Sequence, residues 1–210
     1  TFVQTQNTLA NGTPATTLAV TLIGVGAGNL VVLWFKHEGA STGLTCTGDG
    51  TLDEGTYFSH GNADLHGQFF YKLSSTGGDT TYTVTLDAGR TFRRVIAMEF
   101  SYAGTIVFDA QSTGTGNGTA LSSGNIATTG TEELVLGGSG EYASFTISAM
   151  QVNGLAADGS VNPDTAIYYA MWRRRFTATF TGAATATISG AADWICAAIA
   201  FKEAAAAAEV

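Results

Sequence analysis

Residues 83–100 read TVTLDAGRTFRRVIAMEF, and residues 185–201 repeat the pattern as TATISGAADWICAAIAF. Each stretch begins with threonine alternating with small or apolar residues, continues through a glycine-containing break, and ends in a long apolar run. Alternation with a period of two is typical of a β-strand buried on one face, so each stretch predicts two strands joined by a turn. The stretches begin 102 residues apart, which is too long for a solenoid repeat. We therefore predict two similar sets of strands.

Equivalent segments lie upstream of both stretches in the same order. An aromatic segment comes first, and an apolar strand after a glycine-bearing turn lies further upstream: residues 69–71 and 30–35 in the first half, and residues 167–169 and 134–136 in the second. Two related strand sets suit one two-layered body. We predict an all-β fold, an antiparallel two-sheet β-sandwich of jelly-roll-like type, as a single domain over 1–203 with pseudo-repeats at about 16–104 and 119–203.

The remaining segments predict a loop, a joint and a tail. Residues 40–67 show weak periodicity, which predicts a long loop with one or two short strands. Residues 111–124 are rich in Gly, Ser and Thr and are the expected joint between the repeats. The alanine-rich segment 204–210 predicts a short helix or tail, since alanine favours helix but so short a segment is marginal in water without a packing partner.

Charge is scarce in this chain. Charged residues make up 12% of it, against about 25% in typical soluble domains. The formal net charge of −8 argues against nucleic acid as a partner, because phosphates need a basic surface. The sequence contains no run of 18 apolar residues, which is about the length needed to cross a bilayer, so a membrane is not expected as a partner either.

The two cysteines, Cys46 and Cys196, are too few for a disulfide framework. Cys196 lies inside an apolar strand, so the sequence favours a buried, inert thiol over a bridge.

The last strand is apolar on both faces. One face carries Ile195, Ala197, Ile199 and Phe201, and the other carries Trp194, Cys196, Ala198 and Ala200. A strand with water on one side normally shows polar residues there. We expect the second face to be covered by the alanine tail, by another loop or by a second copy of the protein.

Two polar groups could be taken for metal ligands. The first comprises His60, Asp64 and His66, and the second comprises Asp49, Asp53 and Glu54. The first lacks a compact ligand spacing, and imidazoles on a polar loop are usually solvated. The second lacks the pattern of an EF-hand calcium loop, and Asp-Gly turn chemistry explains it as well. We expect no metal and no other cofactor.

No nucleophile motif points to an enzyme. The Gly-Ser-Gly at 138–140 is not followed by a helix pattern, as a nucleophile elbow would be. The pair Glu132 and Glu133 could serve glycosidase chemistry only if a cleft placed two carboxyls across from each other. We expect a protein without enzymatic activity.

The strongest charge cluster is Arg173, Arg174 and Arg175, which follows Trp172. It is either a solvated strand end or an electrostatic contact with an acidic partner, since guanidinium groups pair well with carboxylates. Among the three tryptophans, Trp34 and Trp194 lie in apolar strands and are expected in the core, which leaves Trp172 as the candidate for exposure. The candidate interface residues are Trp172 and the three arginines, together with Trp194, which lies on the apolar outer face of the last strand.

The segments 27–32, 94–104 and 193–202 resemble Thr/Gly-rich β-sandwich modules that occur in tailed-phage structural proteins and in bacterial surface or secreted proteins. The Gly-Asn-Leu-Val-Val opening and the closing Trp-x-x-Ala-x-x-Ala-Phe-Lys strand carry the likeness, which covers nearly the whole chain. The resemblance implies a jelly-roll-like sandwich with a binding or assembly role and supplies no catalytic residues.

We expect a virion structural protein of a tailed phage, a capsid decoration protein or a tail or fibre component. It would bind other virion proteins, in several copies or as a homo-oligomer, after assembly in the host cytoplasm. No leader or anchor pattern is seen in the sequence, which favours this expectation over a surface protein. The alternative is a carbohydrate-binding or adhesin module at a cell surface or outside the cell, using Trp172, Tyr168 and the loop from Asp49 to His66.

Overall fold

The computed structural model describes residues 1–41, 43–61, 64–162 and 169–204 of the chain. These residues form antiparallel β-strands and no helix, which confirms the predicted all-β class. In this part of the chain there is accordingly no helix long and apolar enough to cross a membrane. The predicted C-terminal helix is not seen: Glu203 ends the last strand, and residues 205–210 lie outside the described residues.

The first half of the chain forms two sheets. Its strands are β1 (Phe2–Ala10), β2 (Ala15–Val25), β3 (Leu30–Glu38), β4 (Leu44–Gly48), β5 (Gly50–Thr51), β6 (Asp53–Glu54), β7 (Phe58–His60), β8 (Leu65–Lys72), β9 (Gly78–Arg90) and β10 (Arg93–Phe100). Sheet A has the order β1-β10-β3-β8-β6, with β7 also on β8, and sheet B has the order β2-β9-β4-β5. Four short strands, β4 to β7, and the start of β8 therefore lie in the segment predicted as a long loop with one or two short strands.

The second half forms one larger sheet, sheet C. Its strands are β11 (Ile106–Ala127), β12 (Glu133–Glu141), β13 (Ile147–Val152), β14 (Leu155–Ala156), β15 (Gly159–Val161), β16 (Tyr169–Phe176) and β17 (Thr181–Glu203). Its order is β14-β13-β17-β12-β16-β15, with β11 along β17. The segment 111–124 is part of β11, so the prediction of a joint there is wrong. Residues 101–105 link the halves instead.

The two halves share one strand order. Residues 106–118 of β11 pair with 192–203 of β17, and residues 120–127 pair with 181–187, with a shift in register between Gly118 and Ala120. The order β11-β17-β12-β16-β15 thus repeats β1-β10-β3-β8-β7, and β11-β17-β13-β14 repeats β2-β9-β4-β5. In the second half, β11 takes the positions of both β1 and β2, and β17 takes the positions of both β10 and β9.

Three apolar clusters hold the sheets together. The largest joins β3, β8 and β10 of sheet A to β12, β16 and β17 of sheet C. A second lies between the other face of sheet A and sheet B. Because sheet A is covered on both faces, residues 30–35 of β3 form an uninterrupted apolar run. The sequence predicts two sheets, whereas strand pairing in the described residues gives three.

The third cluster covers the apolar outer face of the last strand. Trp194, Cys196 and Ala198 pack against Leu121 and Ile147 of the same half. The cover comes from the first part of β17 together with β11 and β13, so neither the alanine tail nor a second copy of the protein is needed there. The sequence could not show this, because the covering segments are distant along the chain or are reached only by a bend in a strand.

Candidate functional site

The three arginines predicted as a contact all have partners inside the chain. The Arg173 guanidinium lies 3.8 Å from the centre of the Phe2 ring, Arg174 lies 3.4 Å from the Asp158 carboxylate, and Arg175 lies 3.5 Å from Glu132. Successive residues of a strand point to opposite faces, so the triplet does not form one basic patch. Arg175, with 58% of its side chain exposed, is the member most available to a partner.

The two candidate interface tryptophans are buried. Trp172 is 0% exposed, and its indole Nε1 donates to the carbonyl of Gln151 at 3.0 Å. The expectation that Trp172 is the exposed tryptophan is therefore wrong, because β13 and the bent β17 cover that face of β16. Trp194 and Trp34 are buried, as predicted. Tyr168, the other predicted sugar contact, lies outside the described residues.

The structure does not bring the suspected metal ligands together. His60 pairs with Leu65 and His66 pairs with Ser59 across β7 and β8, so the two imidazoles point to opposite faces. Asp49 accepts hydrogen bonds from the backbone and the hydroxyl of Thr76, both at 2.7 Å, and fixes a turn. In the parts of the chain with described structure, no group of three or more His, Cys, Asp or Glu side chains could hold a metal ion.

A stack of three rings lies inside the first half. The rings of His37 and His66 are 4.7 Å apart and nearly parallel, and the ring of Tyr57 stacks on His66 at 5.5 Å. Tyr57 donates to the Ser41 carbonyl at 2.9 Å, which leaves its oxygen to accept from His66 Nδ1 at 2.5 Å. Burial lowers the pKa of His37 to about 3, so this imidazole is neutral at physiological pH.

A buried carboxyl pair closes one end of the second half. Asp109 on β11 accepts from the Thr129 backbone and from Lys202 on β17, each at 2.7 Å. Glu133, at the start of β12, accepts from the backbone of Gly130 at 2.7 Å. Burial, together with a hydrogen bond to Asp109, raises the pKa of Glu133 to about 7. A protonated Glu133 can donate a hydrogen bond to the ionised carboxylate of Asp109, and this hydrogen bond connects β12 to β11.

Buried charges also lie between the halves. Lys36 on β3 is fully buried and lies 2.5 Å from the Glu38 carboxylate. Glu141 at the end of β12 is buried too, and it accepts from the backbone of Phe145 at 2.8 Å. Burial lowers the pKa of Lys36 to about 8 and raises that of Glu141 to about 7. Single charged residues inside apolar strands give no sequence pattern, which is why the sequence analysis missed this cluster.

A cleft of about 280 Å³ opens beside these buried charges. Its wall includes Glu38, Asp64, Arg90, Phe92 and Tyr142. Tyr142 belongs to the second half and the other four to the first, so the cleft lies where the halves meet. Of these five residues, the sequence analysis considered only Asp64, and it did so as a possible metal ligand.

Comparison with known proteins finds no match: no family model, no curated protein and no solved structure is similar to this chain.

Proposed function

We propose that the chain is a non-enzymatic structural protein of a tailed-phage virion, a decoration or tail component that acts by protein–protein assembly. In this proposal each half is a jelly-roll-like sandwich, and the two sandwiches stack through sheet A and the facing part of sheet C. Sandwiches of this type recur in viral capsid proteins and lectins, where they present loops and faces on a rigid body.

The repeated strand order carries the proposal. The two halves pair their strands in the same order and bury one shared core, so the described residues form one block. Such a block suits adhesion to a lattice better than a reaction, which needs a nucleophile, a base and a place for substrate. No such set converges in the described residues at the places where the sequence suggested one.

The outer face of sheet B is the surface we assign to docking. It is rich in exposed threonine, with Thr17, Thr21, Thr45, Thr47, Thr81 and Thr85 on three neighbouring strands. The exposed carboxylates of β9, Asp79 and Asp87, lie towards the two ends of that strand and leave its centre free of charge. Thr21 and Thr81 hydrogen-bond to each other at 2.8 Å across the sheet. Depletion of charge is typical of the centre of protein interfaces.

The test is co-assembly with particle proteins. The chain is expressed together with the capsid and tail proteins of the phage that carries its gene, and the particles are separated on a density gradient. We expect the chain to sediment with particles in many copies. If complete particles form while the chain stays at the top of the gradient, the proposal fails.

Thr85→Arg locates the contact. Thr85 lies between Thr17 and Thr45, and its exposed side chain lets an arginine project into water without disturbing the core. We expect a loss of at least tenfold in particle-bound copies, because a charge at an interface centre is costly to desolvate. The matched control is Thr115→Arg on β11, which is also exposed and should leave binding unchanged.

A further inference from the structure

Phe92 and Tyr142 are the exposed aromatic side chains of the described part of the chain, at 40% and 54% exposure, and every other aromatic there is buried or half-buried. Both line the same cleft, one from each half. Two exposed aromatics scattered at random over this surface would rarely meet in one concavity. Exposed apolar groups gathered at one place mark binding sites, and ligand sites are frequent where two units meet.

We propose that this cleft binds a single sugar ring of a glycan, in addition to the assembly role. The aromatic rings offer flat apolar faces on which the C–H face of a pyranose can stack. The carboxylates of Glu38 and Asp64 accept hydrogen bonds from sugar hydroxyls, and the Arg90 guanidinium donates to them. A sugar ring has this combination of apolar faces and a polar edge.

The walls of the cleft are fixed before a ligand arrives. The backbone of Glu38 donates to the Phe92 carbonyl at 3.1 Å, and that of Gly39 donates to the Asp64 carbonyl at 2.7 Å. Gly39 has a φ of +91°, and a Cβ there would lie 3.0 Å from Arg90 Cδ, so glycine keeps the guanidinium in place. A preformed site loses less conformational entropy on binding.

The volume of the cleft and the charges on its wall limit the class of ligand that it can bind. At about 280 Å³ the cleft lies just below the roughly 300–1,000 Å³ of sites for drug-sized ligands, so it holds one ring rather than a long ligand. Arg90 is already held by Asp87 at 3.4 Å and Glu38 by Lys36 at 2.5 Å. The carboxylate of Asp64 therefore leaves an excess of negative charge at the wall. This excess of negative charge disfavours phosphate and sulfate groups and favours neutral hydroxylated rings.

The test uses the full chain on a glycan array, followed by saturation-transfer NMR with the methyl glycoside of the strongest hit. We expect binding that Phe92→Ala and Tyr142→Ala each weaken by about tenfold, since each removes one stacking surface. Asp64→Asn should weaken it several-fold. Asp64 has a φ of 46°, and asparagine adopts this backbone region readily, so the substitution changes charge without disturbing the fold.

Leu155→Ala is the matched control, because Leu155 is also exposed, at 47%, and lies on β14 away from the cleft. It should bind like the unchanged protein, and all four variants should keep the same free energy of unfolding. No bound glycan on the array, or glycan binding that both aromatic variants retain, overturns the proposal. So does loss of particle binding in the aromatic variants without any glycan binding, since the cleft would then be a protein contact.

Discussion

The carboxyl of Glu133 titrates in a range where its ionisation changes the stability of the protein. Its pKa is about 7 in the folded protein against 4.5 for the free side chain, so the folded state binds the proton more tightly. Its contribution to stability is therefore complete below about pH 4.5 and is lost as the pH rises through 7. Asp109 behaves oppositely: although burial raises its pKa, hydrogen bonds from Lys202 and Thr129 outweigh that effect and lower it to about 2. The contribution of Asp109 to stability is complete above about pH 4 and is lost as the pH falls through 2.

Glu133→Gln removes the titration but keeps a donor for Asp109. We expect the free energy of unfolding of this variant to fall less steeply between pH 5 and 8 than that of the unchanged protein, measured by urea denaturation. Part of the slope will remain, because burial also raises the pKa of Glu141 to about 7. Glu132→Gln, at an exposed neighbour, is the control and should leave the slope unchanged. If the free energy of unfolding had the same slope against pH in the variant and in the unchanged protein, the hydrogen bond from protonated Glu133 to Asp109 would be contradicted.

Both thiols are shielded by the fold. Cys46 and Cys196 are free and buried, and burial raises the pKa of both thiols, that of Cys46 to about 12. A thiol reagent attacks the thiolate, so neither cysteine should react in the native protein. We expect no labelling by a disulfide-exchange reagent in buffer and two labelled thiols per chain in guanidinium chloride. One thiol that labels rapidly under native conditions would show that its strand opens.

At the scale of elements, glycines in β12 let the two halves approach closely. A Cβ on Gly138 would lie 2.5 Å from the Trp34 indole and 2.9 Å from the Phe69 ring. The same approach lets Trp34 Nε1 donate to the Ser139 carbonyl at 3.0 Å. The Gly-Ser-Gly segment that resembled part of a nucleophile motif is thus the surface against which Trp34 packs.

Gly138→Ala should destabilise the protein by about 1–3 kcal/mol, because the added methyl forces packed aromatic rings to shift. The measurement is the midpoint of urea denaturation at unchanged slope. Gly104→Ala is the control, since a Cβ there meets nothing within 4 Å. An equal effect at both positions would mean that the approach of β12 to Trp34 is looser than the structure has it.

How far the sequence predicts an element depends on where the partner of that element lies. The alternation of Tyr82, Val84 and Leu86 with threonines is local, and β9 has the predicted alternating burial. The pattern of residues 111–124 also describes a Gly/Ser/Thr-rich edge strand, and only its pairing with β17, 63 to 88 residues away along the chain, makes it one. The burial of Trp172 and the cleft both depend on contacts between distant segments. Patterns along the chain therefore predicted most strands and the covering of the last strand's outer face, but neither the segments that cover it nor the cleft.

For the whole molecule, the shared core couples the stability of the halves. The largest apolar cluster takes residues from both, including Trp34, Met98, Leu136 and Ile199. Separating the halves would expose all of this surface at once, at about 25 cal/mol for each Å². We expect one cooperative thermal transition in calorimetry, with equal calorimetric and van't Hoff enthalpies. Two separate transitions would show that each half is stable alone.

Thr1 and Glu203 border the same depression, together with Ser101 and Tyr102 of the link between the halves. Phe92 lies at the other end of β10, whose eight residues span roughly 25 Å. Thr1 therefore lies at the end of β10 opposite the aromatic cleft, and a label attached there leaves the mouth of the cleft unobstructed. A surface to which Thr1 is tethered would hold the molecule with the cleft facing outward.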